Sequence, residues 1–200
     1  MNKDLEQKIL FITELEKLKL VLRTNKTIDK KRAENSAEHS WHIALMALIF
    51  KDNFIYKNYD LFKVIKMLLI HDVVEIDAGD TNLYRRNVEE TRSKEDQAAK
   101  RIFGLLPKEF CDEFYQLWIE FDERKTDESM IANAIDNLQP LINHPLSRDE
   151  NERVLDIKYS EIVNKKKFIK DISEDLWEVA KRYIEYGIQK GLYIDDRDKS

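Results

Sequence analysis

Within residues 67–76 the polar side chains are His71, Asp72 and Glu75, and their neighbours Leu68, Leu69, Ile70, Val73, Val74 and Ile76 are apolar. Within residues 130–142, Asn133, Asp136 and Asn137 interrupt a stretch built of Ile131, Ala134, Ile135, Leu138 and Leu141. Spacings of i, i+1, i+4 and of i, i+3, i+4 put each set on one side of a helix. Burying an unpaired charge is costly, and neither stretch carries a basic residue to neutralise its acids. One account is a buried structural network, a His–Asp pair or an Asp capping a neighbouring helix. The other is a divalent ion. His39, where a further apolar helix begins, completes a set with His71, Asp72 and Asp136. Two imidazoles and two carboxylates suit a divalent first-row ion that keeps open positions for water. The expected cofactor is one such ion, with Mn, Co, Mg, Zn or Fe all compatible with the donors. Glu75, one turn from His71, can orient or deprotonate an attacking water or protonate a leaving group. Alternatively it holds a ligand histidine in its tautomer. His42, one turn beyond His39, is available as an outer partner.

The elements that must position these residues are helices. Leu5, Ile9, Ile12, Leu15, Leu18 and Leu22 recur at helical spacing. Residues 23–37 are polar and read as a loop. A second helix, from near Ser40 to about Phe54, is apolar nearly all round and is expected at the centre of the domain. A third runs from about Leu61 to Ile76 and ends at Ala78-Gly79-Asp80. Residues 80–93 read as a loop carrying Arg85, Arg86 and Arg92. Further helices are expected over about 94–103, 107–121, 127–142, 150–164 and 173–186, with Gly104 as a stop signal and Pro107 in a first turn. Pro140 is expected to bend the final turn of its helix. With no repeat, linker or composition break, residues 1–200 form one all-α domain of roughly seven to nine helices. The motifs occupy about 12–145, and 146–200 is a helical extension.

Composition narrows the function classes. Four glycines and three prolines in 200 residues are too few for a turn-rich all-β fold. The 34 basic and 39 acidic residues are interspersed and give a net charge of −5, so no basic stripe offers itself to a nucleic-acid backbone. The longest apolar runs fall far short of the ~20 residues that span a bilayer, and no secretory signal is visible. The single cysteine, Cys111, lies among Phe110, Phe114 and Tyr115 and reads as a small packed hydrophobe. A reducing, cytoplasmic setting without nucleic-acid or membrane partners is expected. Trp177, Tyr183 and Tyr186 on the last long helix either support a homodimer or pack on the domain's own core.

The order His39, His71-Asp72, Asp136 resembles the HD-domain superfamily of metal-dependent phosphohydrolases. The segment Arg32-Ala33-Glu34-Asn35-Ser36-Ala37-Glu38-His39-Ser40 resembles the R-x-E-N-x-x-E-H-S segment of its bacterial 5′-deoxynucleotidases, and His71-Asp72-Val73-Val74-Glu75 with Gly79-Asp80 resembles their H-D-x-x-E-x-x-x-G-D. Leu18-Lys19-Leu20 leading to Arg23 resembles the segment carrying their phosphate-orienting arginine. The resemblance implies that Arg23 grips a phosphate, that Glu75 is catalytic, and that Asp80 contacts the sugar. Where those enzymes carry a tryptophan beside the arginine, this chain has Thr24, so a weaker preference for deoxyribose is implied. Ile76 directly after Glu75 departs from guanosine tetraphosphate hydrolases, which carry an acid there. The expected function is release of phosphate from a nucleoside 5′-monophosphate. The alternatives are hydrolysis of another phosphorylated metabolite or a nucleoside triphosphate, and a non-catalytic metal-binding helical module. Arg85, Arg86 and Lys94 are candidates for attracting phosphate.

Overall fold

A computed structural model describes residues 2–80 and 88–197, excluding the side chain of Val88. The chain begins with α1 (Lys3–Leu15), which tightens into a 3-10 turn over Glu16–Leu20. A short antiparallel hairpin follows, β1 (Leu22–Lys26) and β2 (Ala33–Asn35). Then come α2 (Ser36–Ile49), α3 (Leu61–Ile70), a 3-10 turn over His71–Val74 and α4 (Glu75–Ala78). The remaining helices are α5 (Val88–Phe103), α6 (Lys108–Glu123), α7 (Asp127–Leu146), α8 (Tyr159–Lys166), α9 (Ile169–Ile172) and α10 (Glu174–Gln189). Among the described residues eight helices reach eight residues or more, and the fold is all-α as expected. The buried side chains form one cluster from Phe11 to Tyr193, with Ile43, Met67, Leu68, Ile135 and Leu138 at its centre.

Several local expectations need correction. Residues 23–37 are not a loop throughout, because β1 and β2 pair there, with Leu22 opposite Asn35 and Lys26 opposite Ala33 across an irregular register. Lys30, at φ 64°, turns the chain between them. Strands of five and three residues are too short to display an alternating pattern. The helix expected over 61–76 is interrupted by the 3-10 turn over His71–Val74. That tighter winding stacks residues three apart, which brings Asp72 and Glu75 onto one side. Residues 150–158 are not helical; α8 starts only at Tyr159. Asp127–Leu146 continues through Pro140 and on to Pro145 instead of stopping near Ile142.

The central position expected for α2 is half right. Ile43, Ala44, Met46 and Ala47 are buried against α3 and α7, whereas Trp41, Leu45, Leu48 and Ile49 are exposed. Trp177 lies in the protein's own core, Tyr183 is half-buried, and Tyr186 is exposed beneath Lys190. Cys111 is half-buried against the core. Arg85 and Arg86 lie outside the described residues, and Lys94 pairs with Glu90 at 2.8 Å. No helix of the described residues is long and apolar enough to cross a membrane.

The start of α2 carries an ordered capping arrangement. The Asn35 side chain accepts from the Glu38 N–H at 2.9 Å, while Glu38 accepts from the Asn35 N–H at 3.1 Å. Glu38 also receives both terminal nitrogens of Arg32, at 2.6 and 2.8 Å. The cap therefore fixes the first turn of the helix that presents His39 one residue later. Replacing Asn35 with Ala should cost about 1 kcal/mol of stability, measurable as a shift in the urea midpoint at unchanged slope.

Candidate metal and phosphate site

His39, His71 and Asp72 offer donor atoms within 4.8 Å of one another, all from buried residues. Asp136 joins them from α7: its Oδ1 lies 2.9 Å from His39 Nε2 and 3.5 Å from His71 Nε2. Asp72 Oδ1 lies 2.9 Å from His71 Nε2. Four residues spread across almost a hundred positions of sequence thus meet at one point, where α2, the 3-10 turn after α3, and α7 approach each other.

Their supporting contacts set which imidazole nitrogen faces inward. The Gln139 amide donates from Nε2 to Glu34 Oε1 at 2.9 Å, and an ionised carboxylate only accepts. Gln139 Oε1 therefore faces His39 Nδ1, at 3.2 Å, and requires a proton on that nitrogen. His71 Nδ1 lies 3.0 Å from the carbonyl of Leu68, which likewise accepts. Both rings are held with Nδ1–H outward, and both Nε2 atoms turn toward Asp72 and Asp136. His71 Nε2 is buried with no well-formed hydrogen bond. An inward lone pair on each ring, two carboxylates and an orphaned buried nitrogen fit a divalent cation of the kind that imidazole and carboxylate hold. Burial lowers His71, but Asp72 and Asp136 outweigh it and push the group up to about 10. Burial raises Asp136, but His39 and His71 outweigh it and hold it well below the usual carboxylate range.

Arg23 reaches the same point from β1. Its NH1 donates to Asp72 Oδ2 at 2.8 Å, and its Nε lies 3.8 Å from Glu34 Oε2. Burial lowers Arg23, yet Asp72, Asp136, Glu75 and Asp80 outweigh it and keep the guanidinium charged. The strand is anchored from the C-terminal half. Arg148 donates to the Thr24 carbonyl at 2.5 Å, Asn143 donates to the Lys26 carbonyl at 3.1 Å, and Lys26 pairs with Glu152. His144 Nδ1 lies 3.1 Å from Asn25 Oδ1 and the ring stacks on Tyr193. Burial, with Arg148 nearby, pushes His144 down to about 4.

Glu75 Oε2 accepts from Ser36 Oγ at 2.6 Å, and among the described residues the His71 ring is held by the Leu68 carbonyl and not by Glu75. Burial, then Asp72 and Asp80, push Glu75 up to about 9, and burial and Asp72 raise Asp80 as well. Asp80 reaches this position because Gly79, at φ 76° and ψ 155°, turns the chain sharply after α4 in a conformation that side chains disfavour. Thr24 lies at an exposed position of β1 beside the same opening. Together with Arg23, Asp72 and Asp136 these residues line a cleft of about 280 Å³, at the low end of small-molecule pockets.

Sequence reasoning thus named the residues that meet here, and it missed their supports. Glu34, Ser36 and Gln139 carry no spacing signal of their own, although Gln139 lies three residues after Asp136 and so shares its face. His42 Nδ1 lies 3.4 Å from Gln139 Nε2, which places it beyond His39 in the same chain of contacts. Asn133, one of the polar residues on α7, is structural: its amide donates to the carbonyls of Phe121 and Ser129 at 2.7 and 2.9 Å.

Comparison with known proteins bears on this arrangement. The 5′-deoxynucleotidase HDDC2 of Homo sapiens is 28% identical over 116 residues, 56% of this chain and 53% of the relative. That of Dictyostelium discoideum is 28% identical over 117 residues, 54% of this chain and 60% of the relative. The chain spans about half the length of the curated relatives it matches. A crystal structure from Magnetospirillum magnetotacticum, described as a predicted metal-dependent phosphohydrolase, is 33% identical with a TM-score of 0.86, covering 96% of this chain and 99% of that one. An HD-domain phosphohydrolase structure from Listeria innocua shares the fold at 19% identity and a TM-score of 0.62, over 91% of this chain and 86% of that one. The sequence model of the HD domain matches residues 15–177. A match of that extent, across every segment that supplies His39, His71, Asp72 and Asp136, makes the chain a member of the HD-domain family.

Proposed function

We propose that the chain is a metal-dependent phosphomonoesterase that releases phosphate from nucleoside 5′-monophosphates. The observation that carries this reading is the pair of imidazoles locked in one tautomer, with both Nε2 atoms turned toward Asp72 and Asp136 on the wall of a cleft that also holds Arg23 and Glu75. His39, His71, Asp72 and Asp136 hold one divalent ion. When bound, such an ion supplies Lewis acidity toward a phosphoryl oxygen and makes a water nucleophilic near neutral pH.

The chain's own residues do the rest. Arg23, kept cationic by its four acidic neighbours, binds phosphoryl oxygens through the donors that Asp72 leaves unused; a planar guanidinium can engage two oxygens at once. Glu75 moves the proton. Its carboxyl is anchored by Ser36 on one oxygen and faces the cleft, where it can take a proton from the attacking water or deliver one to the leaving 5′-oxygen. Asp80 lies beside Glu75 and binds the sugar. The catalytic chemistry favours this reading over a purely structural metal site, since such a site needs neither a buried arginine nor a spare carboxyl.

The test is a screen of the manganese- or cobalt-loaded protein against ribo- and deoxyribonucleoside monophosphates, reading released phosphate. Turnover of at least one monophosphate supports the reading, and turnover confined to nucleoside triphosphates overturns it. The screen also reads sugar choice. Thr24 leaves room for a 2′-hydroxyl where a tryptophan would stand as a flat wall. Pockets that merely tolerate an added hydroxyl discriminate by roughly a hundredfold or less. The dAMP-over-AMP preference should therefore stay within about a hundredfold, and Thr24→Trp should raise it. A wild type that rejects AMP by several thousandfold would show that residues other than Thr24 set the selectivity.

A further inference from the structure

Besides Arg23 and Arg124, the cleft wall carries a buried lysine that none of the HD-type motifs contains. Lys166 ends α8 in the C-terminal extension, and only 6% of it is exposed. It lies between the buried Ile162 and Ile169 at spacings of four and three, so the face that α8 turns to the core carries it inward while Lys165 and Lys167 stay exposed. Its Nζ donates to Asn137 Oδ1. The Asn137 amide nitrogen donates in turn to the Asn133 carbonyl at 2.8 Å and to Asp136 Oδ2 at 3.2 Å, which fixes the amide with its oxygen toward the lysine. Among the described residues no carboxylate pairs with Lys166, and it lines the same cleft as Arg23, His71, Asp72 and Asp136. An ammonium has three donors, and Asn137 occupies one of them.

A buried cation held by one neutral partner is a poor structural device. Burial disfavours the charge, whereas an apolar side chain of similar length would fill the same space without that penalty. Burial, with Arg124, Lys165 and Arg23 nearby, lowers Lys166 to about 8 against the support of Asp136. Once an ion occupies the donor set, the charge of Asp136 is engaged there. The lysine then lines the cleft with Asn137 as its partner, and a phosphoryl oxygen entering that space is an acceptor for its remaining donors.

We propose that Lys166 is a phosphate-binding residue, donating from the α8 wall of the cleft to an oxygen of the substrate's phosphoryl group while Arg23 binds from the β1 wall. The inference rests on the phosphomonoesterase reading for its substrate, and it assigns the C-terminal extension a direct part in recognition. The extension otherwise lines the cleft with largely apolar residues, Val154, Leu155, Ile157, Ile162, Leu192 and Tyr193, and holds β1 in place through Arg148 and Glu152.

Inorganic phosphate is the probe. Calorimetric titration of phosphate into the manganese-loaded full chain should show Lys166→Met binding it about ten- to a hundredfold more weakly than the wild type, the range for a hydrogen bond to a charged group. Metal content should be unchanged, the melting temperature equal or higher, and Lys166→Arg should retain most of the affinity. With a monophosphate substrate, KM should rise more than kcat falls. If Lys166→Met does not fold, Lys166→Gln replaces it in the same titration. A neutral variant that binds phosphate within about threefold of the wild type, or a metal-loaded wild type that binds no phosphate, overturns the proposal. Weakened phosphate binding in the variant, alongside a wild type that hydrolyses no monophosphate, would instead defeat the hydrolase reading and leave the lysine's assignment standing.

Discussion

Asp72→Ala should strip the protein of its divalent ion. Asp72 is the residue on which the site's charges converge: its Oδ1 lies 2.9 Å from His71 Nε2 and its Oδ2 receives Arg23 NH1 at 2.8 Å. Burial raises it, yet His71 and Arg23 outweigh burial and keep the carboxylate ionised and available to a cation. Removing it takes away a donor and a negative charge together. It also frees a buried guanidinium, whose repulsion then acts on any cation placed beside it. The affinity loss should exceed the about 10- to 100-fold that follows from removing a residue which only orients a ligand. Gln139→Leu provides that comparison within the same protein, because Gln139 offers the ion no donor of its own and acts on the site only through its contacts with His39 Nδ1 and Glu34. Elemental analysis after dialysis reads both variants. Metal content should rank wild type, Gln139→Leu, Asp72→Ala in falling order. Asp72→Asn, which keeps the shape and can still accept from Arg23, separates loss of charge from local collapse. Unchanged metal in Asp72→Ala would sink the assignment of the four-residue set.

The parts of this site that could be read from sequence are those whose polarity conflicts with their surroundings. His71 and Asp72 stand out because Leu68 to Val74 is otherwise apolar, and Asp136 stands out for the same reason on α7. The supporting residues are less visible because nothing around them conflicts. Glu34 precedes a helix cap in a polar segment, and only the fold shows its carboxylate buried against Gln139 and Arg23. The hairpin of β1 and β2 escapes for a different reason: it is held from outside, by Arg148, Asn143 and Glu152, more than by any pattern of its own. Its presence matters, since it aims Arg23 at Asp72. The 3-10 turn over His71–Val74 is similarly invisible to a helical-period reading, which places the same residues on one face but misses how closely Asp72 and Glu75 stack. Lys166 is the instructive case. In a run of three lysines each reads as solvated, yet the middle one occupies the position where Ile162 and Ile169 mark the apolar face. A charge at an apolar position of an amphipathic helix is the same signal that exposed His71 and Asp72, weakened here by its like-charged neighbours.

Glu75→Gln should lower turnover by about two to four orders of magnitude while leaving the metal in place, the usual range for a group that moves a proton. At 1.36 kcal/mol per decade, this is roughly 3–5 kcal/mol of transition-state stabilisation. Glutamine keeps the volume of the side chain, and its amide oxygen can still accept from Ser36 Oγ, so the arrangement around the donor set has no reason to shift. What disappears is the capacity to take up and release a proton. The environment is built around that capacity: burial, Asp72 and Asp80 together push the Glu75 carboxyl up to about 9, keeping a third acid in a cluster that tolerates it only with a proton nearby. Removing a titratable acid from such a cluster relieves repulsion, so the variant should melt no lower than the wild type. Loss of turnover with metal content and melting temperature preserved is the combination that identifies Glu75 as the proton-transfer group. Elemental analysis, a thermal melt and single-turnover kinetics on one preparation read all three. If Glu75→Gln loses its metal, the residue supports the donor set instead. If it turns over substrate at the wild-type rate, the proton moves through another group, and Asp80, beside it on the cleft wall, becomes the first residue to replace.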